Sequence, residues 1–208
     1  MTSIRHNDGA DDALLDAARH CLLAVGWKRT TLTDVARRAG VSRMTIYRRW
    51  PDMQTLLSDL MVREWAAVVD GAVGASAGPP LDRLAAGGTR VVRALRDNEL
   101  FRRIVHVDPE LLLPYLLDRR GRSQDAILGL LEQTIAEGQA DGSVRAGDPT
   151  LLARSVLLAA HGFVLSAETM AGGAPADAAA GPAGRSAGPS VDALDAELRT
   201  LIERYLSP

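Results

Sequence analysis

TLTDVARRAGVSRMTIYRRW, residues 31–50, decides how this chain is read. Thr31 and Asp34 stand at capping-box spacing, with Asp in place of Glu, so a helix opens here. It runs to about Arg38 and ends at Gly40, where the missing Cβ permits a positive φ. Ser42 caps a second helix that runs to about Arg49. Ala36 is small where the second helix crosses the first, Gly40 turns the chain four residues later, and Ile46, six further on, is the aliphatic that pins the crossing. This spacing predicts a helix-turn-helix. Val35 and Val41 add core, and Trp50 follows Ile46 at i+4 on the same face.

Once Ile46 and Trp50 point inward, Arg43, Met44, Thr45, Tyr47, Arg48 and Arg49 point out. A helix fits the major groove of B-DNA, about 12 Å across. Arg43, at the start of the helix, is placed to read guanine O6 and N7, and Met44 and Thr45 to touch a thymine methyl. Tyr47, Thr31 and Lys28 suit phosphates. The charge distribution points the same way. The chain of 208 residues carries a net charge of −2, but residues 1–50 hold nine Lys/Arg against five Asp/Glu. From Lys28 to Trp50 there are seven basic residues and one acid, Asp34. Basic character confined to one segment marks a polyanion-facing surface.

Outward from this stretch the pattern stays helical. Leu14, Ala17, Ala18, Cys21, Leu22 and Val25 share one helical face, stopped by Gly26. Pro51 fits the first turn of a helix through Leu56, Leu57, Leu60, Met61 and Trp65. GAVGASAGPP (71–80) is a break, and Asp108-Pro109-Glu110 a new start that Pro114 delays. Asp148-Pro149 opens a helix apolar nearly all round, which predicts burial on most sides. AGGAPADAAAGPAGRSAGP (171–189) has sixteen Ala, Gly or Pro in nineteen residues and is expected to be a mobile loop. After it Ser190 caps a last helix on which Val191, Leu194, Leu198, Leu201 and Tyr205 step by 3, 4, 3, 4. The fold expected is all-α. An N-terminal three-helix helix-turn-helix domain at 8–52 precedes a larger helical-bundle domain at 53–208. Pairing the helices at 149–170 and 190–206 with a second copy would bury their excess apolar surface in a four-helix interface.

TTLTDVARRAGVSRMTIYRRWPDMQTLL (30–57) resembles the signature of the TetR family of bacterial transcriptional regulators. The pattern is matched at Thr30, Thr31, Asp34, Ala36, Ala39, Gly40, Val41, Ser42, Thr45 and Tyr47, over about a quarter of the chain. Met53 stands where the family usually has a phosphate-contacting Lys, and Met44 replaces a common Gly. The resemblance implies a homodimeric repressor on a palindromic double-stranded operator, released when a small effector changes the separation of the two recognition helices. Trp65, Phe101, His106, Tyr115 and His161 are the side chains expected to line the effector site. The alternative is a helical ligand- or protein-binding module that no longer engages DNA.

Other classes lack support. Cys21 is alone, the four histidines have no zinc spacing, and no phosphate loop, nucleophile elbow or carboxylate pair occurs. Neither an enzyme, a metal site nor a cofactor is expected. MTSIRHNDGADD lacks the apolar core of a signal peptide. The longest apolar stretch, LLARSVLLAAHGFVL (151–165), falls short of the roughly 20 residues of a bilayer span. A cytoplasmic protein with no membrane partner is the expectation.

Overall fold

Caps set where the helices begin. The computed structural model describes residues 4–73, 78–172 and 188–208. Among these residues the elements are helical and none is a strand. Helices α1 (Ile4–Val25), α2 (Leu32–Arg38) and α3 (Arg43–Arg49) come first, then α4 (Met53–Val73), α5 (Pro80–Asp97) and α6 (Glu99–Val107). A short 3-10 turn at Pro109–Leu111 leads to α7 (Leu113–Leu117), α8 (Arg122–Asp141), α9 (Pro149–Met170) and α10 (Val191–Leu206). The Thr31–Asp34 capping box closes in both directions. The side chains of Ser42 and Ser190 accept from the amides of Thr45 and Ala193. Asn98, whose capping role the apolar pattern does not reveal, accepts from Phe101 and starts α6. Helix α1 begins at Ile4, nine residues before Ala13.

The chain divides into two compact units, and the division does not follow a cut at residue 52. The first holds the residues up to Ala67 together with Asp97–Asp125. Its core joins Leu14, Ala18 and Leu22 to Val35, Ala36, Ile46 and Trp50. Leu56 and Leu60 of α4 and Leu100 and Ile104 of α6 complete that core, which is why α4 and α6 cluster with the helix-turn-helix. Gly26, at φ +82°, ends α1, and the next amide, Trp27 N–H, donates to the buried Asp108 Oδ2 at 3.0 Å.

The second unit holds Val68–Arg96 and Ala126–Pro208. Leu84 and Val92 of α5, Leu128 and Ile135 of α8, Leu152 and Val156 of α9 and Leu198, Ile202 and Leu206 of α10 form its core. Asp195 is 1% exposed, and Arg96 Nη2 lies 2.6 Å from both of its carboxylate oxygens. Arg93 Nε adds a second donor at 3.1 Å, so the buried carboxylate is paired and hydrogen-bonded.

Three expectations are corrected here. Helix α9 is not buried on most sides: Leu151 and Leu158, one heptad apart, are 60% and 71% exposed. It also has 22 residues, so length and composition alone would let it cross a membrane, and the argument from a 15-residue apolar stretch fails. Its packing of Leu152, Ala153, Val156 and Ala167 into the second unit accounts for one side of its apolar character. On α10 the seam divides: the buried column is Asp195, Leu198, Ile202 and Leu206, whereas Leu201 and Tyr205 face solvent. The expected loop at 171–189 lies, over residues 173–187, outside the described residues, as do residues 74–77 of the break at 71–80.

Candidate functional site

Helix α3 is seven residues long and is held at both ends and underneath. Ser42 Oγ accepts from Thr45 N–H at 3.1 Å and pairs with the Thr45 hydroxyl at 2.9 Å. Gly40 takes φ +69°, the turn conformation its position requires. Ile46 is fully buried. Trp50, 1% exposed, donates its indole N–H to Asp59 Oδ2 at 2.8 Å, and Asp59 in turn pairs with Arg122. Burial pushes the Asp59 pKa up, but the indole N–H and the Arg122 guanidinium outweigh it, so the carboxyl ends below its ordinary value and stays ionised.

With the inner face pinned, Arg43, Met44, Tyr47, Arg48 and Arg49 are exposed, as the helical spacing predicts. Met44 is 80% exposed and has no part in the core. None of the ion pairs among the described residues involves Arg43 or Arg48. Three other cationic or polar groups have intramolecular partners, of which the spacing of the sequence foresees only Thr31 with Asp34. Arg49 Nε pairs with Asp11 at 2.8 Å, and its guanidinium lies 5.3 Å from the centre of the Trp50 ring. Lys28 Nζ pairs with Glu110 at 2.9 Å, which raises the amine pKa and lowers the carboxyl's. The Thr31 hydroxyl donates to Asp34 Oδ2 at 2.5 Å. Met53, the first residue of α4, packs partly buried against the first core.

The five candidate effector-site residues divide between the two units. In the first unit Trp65 and Phe101 meet edge to face at 5.7 Å, His106 is exposed, and Tyr115 carries Arg119 over its ring at 5.6 Å. His161 alone among the five lines a cavity of about 330 Å³ inside the second unit. That cavity lies among α5, α8, α9 and α10, and its walls include Leu84, Val91, Leu131, Leu157 and Ile202. Burial lowers the His161 pKa below its ordinary value of 6.5, which keeps the imidazole neutral at pH 7. The wall residues escape sequence reading because an apolar residue beside a cavity and one in a filled core follow the same helical spacing. Among the described residues no group of three or more His, Cys, Asp or Glu is arranged to hold a metal ion.

A short basic helix, pinned inward and open outward, is suited to docking in a nucleic-acid groove. Comparison with known proteins agrees. The model for "Bacterial regulatory proteins, tetR family" matches residues 14–60. The HTH-type transcriptional regulator Mb2274c of Mycobacterium bovis is 37% identical over 161 residues, covering 74% of this chain and 80% of that protein. The structure of the Rhodococcus erythropolis transcriptional repressor QsdR superposes with a TM-score of 0.66 at 16% identity, covering 96% of this chain and 95% of that one. A complex of SmeT with triclosan gives 0.55 at 21% identity, over 77% and 81%. The structural likenesses establish the fold.

Proposed function

Since the chain belongs to the tetR family of bacterial regulatory proteins and is a helix-turn-helix transcriptional regulator, we propose that it is a homodimeric repressor, released from a palindromic operator by a small molecule. The observation that carries this reading is the outward face of α3, where Arg43 and Arg48 stand exposed with no ion pair among the described residues. In the proposed complex Arg43 reads a guanine edge, and Met44 and Thr45 meet a neighbouring thymine methyl. Tyr47, Arg48 and Thr31 contact phosphates. Lys28 and Arg49 join only by leaving Glu110 and Asp11, so their contribution is smaller than their charge suggests.

The exposed apolar faces of α9 and α10 support a second copy as their occupant. Leu151 and Leu158 on one helix and Leu201 on the other are large exposed hydrophobics, and Tyr205 beside Leu201 stays partly exposed with Arg145 over its ring at 4.7 Å. A two-fold axis through such a face would present two α3 helices to two half-sites. The cavity in the second unit supports the effector role, and the likeness in fold to SmeT, solved in complex with triclosan, is consistent with it. We place the protein in the cytoplasm, where its DNA would be.

A footprint of the purified protein on the DNA flanking its own gene tests this. Protection of an inverted repeat whose half-sites lie about one helical turn apart, or a multiple of it, supports the reading. Absence of protection over all of that DNA at low salt favours the module that no longer engages DNA, the reading to which the sequestered Lys28 and Arg49 lend weight.

A further inference from the structure

The cavity of the second unit has a chemistry of its own. Its walls are apolar over most of their extent, built from Leu84, Val91, Leu95, Leu131 and Val164 among others. The charged side chains that reach it, Arg83 and Glu137, form an ion pair with each other, and Gln133 Nε2 also donates to Glu137, at 3.2 Å. The Thr134 hydroxyl donates to its own helix at Leu130 O. His161 is the exception: a half-buried imidazole, kept neutral by burial, for which no hydrogen bond is made with any described residue.

His161 and the Arg83–Glu137 pair also sit toward opposite ends of α5. Arg96 Nη1 donates to Phe163 O at 3.3 Å, which sets His161, two residues away, toward the Arg96 end of α5. Arg83 lies thirteen residues earlier on that helix, about 20 Å away at 1.5 Å per residue. Between the two ends the walls are aliphatic, and Gly88 on α5 leaves room for Ile202 of α10. A Cβ at Gly88 would come within 3.2 Å of Ile202 Cδ1.

We propose that this cavity binds an uncharged, elongated ligand with an apolar body and one hydroxyl or carbonyl group that hydrogen-bonds to His161, an assignment that rests on the effector role proposed above. A carboxylate or ammonium headgroup would be taken out of water with no unpaired counter-charge to receive it, since Arg83 and Glu137 satisfy one another. A single hydroxyl meets in His161 a neutral ring that both donates and accepts. The volume suits a small molecule, at the low end of the roughly 300–1,000 Å³ of ligand sites.

Calorimetric titration of the full chain with 1-decanol, decanoate and decyltrimethylammonium tests the class without DNA present. The alcohol binds, and each ion binds about a hundredfold more weakly or not at all. Equal or tighter binding of either ion, or no binding of the alcohol, overturns the proposal. Ala160→Trp and, from the more exposed rim, Leu130→Trp fill the space, and both abolish alcohol binding; unchanged affinity in a folded variant moves the site elsewhere. His161→Leu weakens the alcohol about three- to tenfold and leaves capture of an apolar dye, N-phenyl-1-naphthylamine, unaltered. Equal loss of both removes the hydrogen-bonding role. The footprint is run separately. Alcohol binding that leaves the footprint intact upholds the ligand class and sinks the effector role, whereas a footprint without alcohol binding upholds DNA recognition and sinks the ligand class.

Discussion

The α2–α3 pair and the α9–α10 pair each bury one face and leave another open, and the open faces are chemical opposites. On α3 the uncovered side chains are arginines, a tyrosine and a methionine. On α9 and α10 they include Leu151, Leu158, Leu201 and Tyr205. Both pairs are fastened underneath by the same means, a fully buried aliphatic in each case, Ile46 in one and Leu198 in the other. What differs is the solvent each open face is built to exchange for a partner. Guanidinium groups gain from a polyanion that releases counterions. Leucine side chains gain from other apolar surface.

The sharpest break in this comparison is to put charge on the apolar side. Leu158→Glu combined with Leu201→Glu is expected to yield a monomer by light scattering. Operator affinity then falls about a hundredfold or more, as the second half-site ceases to be intramolecular. A dimer that survives both changes removes the α9–α10 face as the interface. Next comes the fastening of α3. Ile46→Ala empties a fully buried site and costs about 2–5 kcal/mol, read as a lower unfolding midpoint in denaturant. A loss under about 1 kcal/mol would show that Ile46 does not hold the crossing.

A smaller effect sharpens the basic face. Arg43→Ala costs about 1–3 kcal/mol at one base position, measured as lost discrimination among single-base operator variants, whereas Arg48→Ala weakens all of them alike and flattens the salt dependence by about 0.9 in log–log slope. Uniform weakening by Arg43→Ala would turn it into a phosphate contact. Lys28→Ala and Arg49→Ala come last. Both cations already hold carboxylates, so each shifts the salt slope by less than Arg48→Ala does.

The second unit carries a pH signature. The folded-state pKa of His161 lies below the ordinary 6.5. The folded chain therefore binds fewer protons than the unfolded chain in this range, and stability rises with pH. The contribution is complete above about pH 6.5 and is lost as the pH falls through the folded value. Melting temperatures measured between about pH 5 and 8 should fall toward acid in the wild type and fall less in His161→Gln. Identical slopes would mean that burial of His161 leaves no mark on stability.

Much of the first unit was legible because its signals are local. Ala36, Gly40 and Ile46 lie within eleven residues, and Thr31, Asp34 and Ser42 declare their caps from side-chain type and spacing alone. The partners that alter the charge face were not legible. Glu110 is 82 positions from Lys28 and Asp11 is 38 from Arg49, and no periodicity links residues so far apart. Asp59 escaped for a related reason: its value comes from the Trp50 indole above it and from Arg122, neither on its own helix face. In the second unit the pattern gave apolar positions correctly but not their fates. Leu152 sits in the core, Leu151 faces solvent and Leu157 borders the cavity, though all three read alike in the sequence.

If the leucines left open on α9 and α10 join two copies as proposed, they tie this regulator to its own abundance. When copies are scarce, each newly made chain carries an adhesive flank, and the number of pairs falls faster than the copy number. A cell that halves its stock would thus loosen control by more than half, with no inducer needed.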